Sequence, residues 1–133
     1  MILDAPTAEE FPFIFDSWAR SFRRSPWAGC VPNHLYDAVS RECSRGIVDR
    51  GATVIVARPD DVARVMGYAV WEPGVLYFLY VKEAFRRMGV GSALLKKIVP
   101  SDSDGWVYTH RTRASQGFLG PRFKWDPIPS RIK

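Results

Sequence analysis

Seven consecutive residues, Val75 to Val81 (VLYFLYV), carry apolar side chains on both faces of an extended chain. Such a strand needs cover above and below, which predicts the middle of a sheet with helices on both sides. Its neighbours agree. Ala52 to Ala57 (ATVIVA) reads as a short β-branched strand, and Val65 to Trp71 (VMGYAVW) as a second. Pro59-Asp60-Asp61 turns the chain between them, and Glu72-Pro73-Gly74-Val75 has the Pro-Gly centre of a type II turn. The three strands are expected to form an antiparallel meander.

Helical patterns flank this meander. From Ala8 to Phe22, apolar residues recur in steps of three and four at Phe11, Ile14, Phe15, Trp18, Ala19 and Phe22. Thr7 and Glu10 have capping-box spacing, and Pro12 holds the regular helix to a start near that point. Ser21 to Gly29 reads as a loop. Asn33 caps a second helix to Arg50 that buries Leu35, Val39, Cys43, Ile47 and Val48. Beyond the meander, Ala93 to Val99 forms a helix stopped by Pro100, and Ser101 to Gly105 a polar turn. Trp106 to Thr109 is a strand, Ala114 to Leu119 a short helix, and Phe123 to Ile128 an edge strand ended by Pro127 and Pro129. The expected class is α/β, with one domain over residues 1–133.

Composition narrows the function classes. Hydrophobic residues make up 47% and charged residues 25%, the balance of a globular domain rather than a disordered chain. No run reaches the ~18 apolar residues of a membrane span, and no basic region followed by an apolar stretch opens the chain. The expected setting is therefore cytoplasmic, with no membrane partner. Cys30, Cys43, His34 and His110 have no metal-type spacing, so no metal is expected; the cysteines read as free thiols, although a Cys30–Cys43 disulfide is open on paper. The net charge of +5 invites an anionic partner such as nucleic acid, an acidic protein or a polyphosphate cofactor, or simply marks a solvated basic surface.

The chemistry concentrates between the apolar strand and the amphipathic helix, at Arg86-Arg87-Met88-Gly89-Val90-Gly91-Ser92. A strand-to-helix turn presents successive backbone N–H groups, and the helix N-terminus adds partial positive charge, which together make a phosphate cradle. Gly89 and Gly91 leave room for close approach, and Arg86 and Arg87 add formal charge. The Walker pattern is absent, and so is the dinucleotide pattern, because Leu94 stands where its last glycine belongs. The competing reading is an ordinary tight turn with two solvated arginines.

Leu79-Tyr80-Val81 through Leu94-Leu95 resembles the acetyl-CoA signature of the GNAT superfamily of N-acetyltransferases. Its core, [RQ]-x-x-G-x-[GA], is met by Arg86, Gly89 and Gly91. The order of elements is similar over nearly the whole chain, and the compact Ser17 to Ser25 stretch resembles small phage-encoded acetyltransferases. The resemblance implies a GNAT fold: a central, mixed, mostly antiparallel sheet flanked by helices, splayed between the signature strand and the next. It implies acetyl-CoA as cofactor, with Leu79, Tyr80 and Val81 at the pantetheine and thioester and Arg86, Arg87, Met88, Gly89, Val90, Gly91 and Ser92 at the pyrophosphate. It further implies direct attack by an amine, with a backbone N–H near Val81 as oxyanion donor.

Departures from the family pattern leave the catalytic residues open. Phe118 stands at the position of the family's acidic tyrosine and has no hydroxyl. Tyr108 is a substitute, or there is no acid. The strand carries no carboxylate, which leaves Glu72 and His110 as candidate bases. The acceptor wall is expected from Arg23, Arg24, Trp27 and Tyr77. Cationic walls suit an amine on a phosphate- or carboxylate-bearing small molecule, a protein or a modified nucleobase. A homodimer is compatible with this chain. The alternative function is a catalytically silent GNAT-fold module that binds nucleic acid or a protein partner.

Overall fold

The computed structural model describes residues 1–23, 42, 44–59, 64–100, 105–109 and 123–125. In chain order the backbone forms β1 (Ile2–Asp4), α1 (Phe11–Arg23), α2 (described over residues 44–49), β2 (Thr53–Arg58), β3 (Gly67–Glu72), β4 (Val75–Val81), α3 (Val90–Ile98), β5 (Trp106–Tyr108) and β6 (Phe123–Trp125). Short 3-10 turns lie at Ala8–Glu10 and Glu83–Phe85. The strands form one sheet in the order β1-β2-β3-β4-β5-β6. The pairs from β1 to β4 are antiparallel, and β4–β5 and β5–β6 are parallel.

The doubly apolar strand is central, as its composition requires. On one face, Ile14 and Trp18 of α1 pack with Val54, Val56, Tyr68 and Phe78, and Ile47 and Val48 of α2 pack against the same cluster. On the other, Val90, Leu94 and Ile98 of α3 cover Ile55, Ala69, Leu76 and Trp106. The fold is a three-layer α/β arrangement. Within α1, Ser17 also faces inward. Its Oγ lies 2.7 Å from the Tyr68 hydroxyl, which donates to the Ile14 carbonyl at 3.0 Å, so the buried oxygens are mutually satisfied. Burial pushes the Tyr68 hydroxyl pKa well above its ordinary value.

Several boundaries differ from the sequence expectation. The strand β1 was not anticipated, because three residues carry too little periodicity to read; long-range pairing with β2 creates it. Strand β2 lies one residue later than Ala52 to Ala57, running from Thr53 to an Arg58 that is drawn inward. Strand β3 begins at Gly67 rather than Val65: Met66 N–H bonds the Ala57 carbonyl at 2.8 Å, out of step with the ladder that follows. Helix α3 starts at Val90, three residues before Ala93, placing Gly91 and Ser92 in its first turn. Pro12 lies inside α1 as the second residue, where its missing N–H costs no hydrogen bond. Asn33, the 60–63 turn, both cysteines and the expected helix from Ala114 to Leu119 fall outside the described residues.

Arg58 ties the N-terminal segment to the sheet. Its side chain is 10% exposed. Nε donates to Asp4 Oδ1 at 2.9 Å, one terminal nitrogen donates to the Ala5 carbonyl at 3.1 Å, and both terminal nitrogens grip the Glu10 carboxylate. Glu10 also accepts from Thr7 N–H at 2.7 Å, the expected half of the capping box. The Arg58 hydrogen bond holds the Glu10 carboxyl down at about 2. A depressed carboxyl contributes stability above its unfolded pKa and loses it as pH falls toward the folded value. Unfolding free energy is therefore expected to drop by roughly 3 kcal/mol as pH falls from about 4.5 to 2. Urea titrations across that range check it, and Glu10→Gln removes most of the slope.

Candidate active site

Strands β4 and β5 separate along their length. They pair only at Val75↔Val107 and Leu76↔Tyr108. Thr109 marks the last contact: its N–H reaches the Leu76 carbonyl at 3.1 Å, and its hydroxyl donates to the Tyr77 carbonyl at 3.2 Å. Beyond that apex the β4 edge facing β5 has no strand partner among the described residues. A bulge lies at the same level, because Trp71 opposes Leu76 while Val70 opposes Phe78. Tyr77 is the extra residue, and it faces the α1 side together with Phe78 instead of alternating with it.

The ladder fixes which backbone groups face the open edge. Lys82 N–H pairs with the Met66 carbonyl at 2.9 Å, so alternation turns the amide and carbonyl of Leu79 and Val81 the other way, toward the gap. The Val81 carbonyl is met there by Arg86 Nε at 3.1 Å. Arg86 thus fastens the turn to the strand with one donor and keeps its terminal nitrogens exposed.

The turn that follows has two left-handed residues, Arg87 at φ 66° and Gly89 at φ 81°. Arg87 is the only described non-glycine residue in that region, a conformation that costs roughly 1–2 kcal/mol. Alternating helical hand curls successive amides toward a common point. Arg86 N–H bonds the Glu83 carbonyl at 3.2 Å, and Ala93 N–H bonds the Gly89 carbonyl at 3.0 Å. Between them, the amides of Arg87 through Ser92 find no acceptor among the described residues. A Cβ on Gly89 would meet nothing within 4 Å, so open space fronts the cap of α3. Met88, 64% exposed, stands on the rim.

Gly67 seats this apparatus on the sheet. A Cβ there would lie 2.5 Å from the Tyr80 carbonyl oxygen, 3.2 Å from Val81 Cα and 3.3 Å from Val90 Cγ1. A glycine inside a strand pattern signals such an approach, and VMGYAVW contains one. Gly67→Ala is expected to cost about 1–3 kcal/mol in chemical denaturation, because backbone must shift. A loss below about 0.5 kcal/mol, the usual size for surface changes, would contradict this seating.

The remaining candidates separate by face. Tyr77 is 1% exposed, and its hydroxyl donates to Glu72 Oε2 at 3.0 Å, so both residues lie on the α1 face beside the apex. Tyr108 ends β5 and packs on the α3 face with Leu79 and Val81. Arg23 is the last residue of α1, and Arg24, Trp27 and His110 lie outside the described residues. Thr109 and Gly67 were not anticipated as site residues; no local pattern marks Thr109, whose role depends on a partner 32 residues away.

The model of the acetyltransferase (GNAT) family matches residues 11–101, more than half of the chain. The chain belongs to the GNAT acetyltransferase family. The fold agrees: the crystal structure of a probable acetyltransferase superposes with a TM-score of 0.51 at 16% identity, covering 98% of this chain and 81% of the other. A crystal structure from Desulfovibrio desulfuricans assigned to the GNAT family is also similar, with a TM-score of 0.43 at 22% identity, covering 73% of this chain and 62% of that one. No curated protein matches the chain significantly. Acyl transfer is the general activity of the GNAT family, and in this chain the splayed β4–β5 pair and the glycine turn present backbone groups with no partner among the described residues. No helix among the described residues is long and apolar enough to cross a membrane.

Proposed function

We propose that this GNAT protein transfers an acetyl group from acetyl-CoA to an amine by direct attack. The observation that carries the reading is the run of unpaired amides from Arg87 to Ser92 at the N-terminus of α3, beside the open edge of β4. Clustered N–H donors with the positive end of a helix bind a diphosphate. The residues present therefore fit the cofactor: Arg87 to Ser92 for its diphosphate, and the gap-facing Leu79 carbonyl and Val81 N–H for its amide-bearing arm. When bound, acetyl-CoA supplies a thioester whose acetyl carbon an amine attacks, with cleavage of the C–S bond and departure of CoA as a thiol.

The chain's own groups divide the remaining work. Leu79 N–H, the first gap-facing amide past the bulge, serves as donor to a developing oxyanion. On the α1 face, Glu72 accepts the proton of the acceptor ammonium, directly or through water, and Tyr77 holds its carboxylate in place. On the α3 face, Tyr108 supplies a proton to the leaving thiolate. Base and acid thus flank opposite sides of one gap, which suits an acceptor arriving from the α1 side. Isothermal calorimetry with acetyl-CoA and desulfo-CoA tests the reading: binding of both in the micromolar range is expected, and no heat at about 1 mM acetyl-CoA, a Kd worth only about 4 kcal/mol, would reject it.

A further inference from the structure

Phe78, Tyr80 and Lys82 occupy alternate positions along β4 and the residue after it, and so share one face. Contacts confirm the sharing. The Phe78 and Tyr80 rings stack with centroids 6.2 Å apart and planes at 24°, and Lys82 Nζ sits 4.7 Å from the centroid of the Phe13 ring on α1. Phe13 in turn meets Tyr80 edge-on at 6.2 Å. Phe78 is buried beneath, while Phe13, Tyr80 and Lys82 are half-buried. Lys82 has no carboxylate partner among the described residues. The α1 face of β4 therefore carries a row of packed aromatic rings that ends in an ammonium with no carboxylate partner among the described residues.

Resting on the acetyl-transfer reading, we infer that this row selects the acceptor: a primary amine carried on a flat, aromatic skeleton with a carboxylate or phosphate at its far end. The amine lies at the apex beside Leu79, the ring lies against the half-buried Tyr80, and the anion meets Lys82, drawing its ammonium off the Phe13 ring. Leu79 and Lys82 are three residues apart, about 10 Å along the strand, so amine and anion stand at opposite ends of a rigid skeleton and the flexible Lys82 side chain spans the remainder. An α-amino acid, whose ammonium and carboxylate share one carbon, cannot span that distance. A polyamine brings positive charge toward Lys82 and gains nothing there. Tyr80 supplies stacking area at little cost in side-chain freedom.

Three probes separate these features: 4-(aminomethyl)benzoate, benzylamine and spermidine. Calorimetry measures their affinity for the protein saturated with CoA, and thiol release from acetyl-CoA measures their kcat/KM. The expected order is 4-(aminomethyl)benzoate first, by about tenfold or more over benzylamine, as for a hydrogen bond between charged groups, with spermidine last. Lys82→Gln is expected to shrink the ratio of the first two toward one, and Tyr80→Leu to weaken both aromatic probes. Equal affinities, a lead for spermidine, or an unchanged ratio in Lys82→Gln overturns the inference. If acetyl-CoA gives no heat and no thiol is released, the transferase reading fails separately, and probe binding to the protein alone still decides whether the row has this preference.

Discussion

Arg58→Met is expected to lower the unfolding free energy by about 3–5 kcal/mol. The magnitude follows from what is left behind. Arg58 neutralises Asp4 and Glu10 at once and donates to the Ala5 carbonyl. Methionine fills a similar volume and satisfies none of these oxygens. The Glu10 side chain is 14% exposed and Asp4 52%, so Glu10 bears most of the penalty and takes up a proton at a higher pH. The loss should appear first as detachment of β1 and the 3-10 turn, seen as hydrogen exchange at Ile2–Asp4 and the paired β2 residues. Replacing all three charged residues with apolar ones should recover most of the stability, because no carboxylate then lies unpaired. A single variant that loses less than about 1 kcal/mol would show the cluster to behave as an ordinary surface pair.

Gly89→Val is expected to raise the Kd for acetyl-CoA by about 10- to 100-fold, with the fold retained. Valine at φ 81° carries roughly 1–3 kcal/mol of strain, since a branched Cβ is disfavoured in the left-handed region. The protein relieves that strain by rotating the cap, which disperses the amides of Arg87 to Ser92. Any Cβ that stays in place occupies the open space in front of them. Gly51→Val is the control. Gly51 has φ 109° with nothing within 4 Å of a Cβ, so it carries similar strain away from the gap. It should lose stability and keep its acetyl-CoA affinity. Equal Kd values for Gly89→Val and the parent would remove the amide cradle from the account.

The sequence by itself determined the layered architecture and singled out a candidate site. Residues 75–81 are apolar on both faces, and nothing but a central strand covered on both sides accommodates them. The Pro73-Gly74 turn set the β3–β4 hairpin, with Gly74 at φ 86° as that turn requires. The motif from Arg86 to Gly91 pointed to the candidate cradle, and its Gly89 takes the left-handed φ at the start of α3 that a glycine adopts freely. Local rules of this kind depend on a few neighbouring residues, and so they survive in a linear string.

Only the tertiary structure decided the rest, because it depends on residues far apart in the chain. Strand β1 exists through its pairing with β2, some fifty residues on, and the buried Arg58 joins the same two segments. The bulge at Tyr77 breaks the two-residue alternation that a sequence reading assumes, and it turns Tyr77 toward Glu72. The apex of the gap is set by Thr109, reaching across to Leu76 and Tyr77. The face assignment followed as well: Glu72 and Tyr77 with Tyr80 on the α1 side, Tyr108 on the α3 side. Composition marks a residue as buried or polar. Which side of a strand it occupies, and which distant backbone group it meets, is settled by register, and register is fixed only when the layers close on one another.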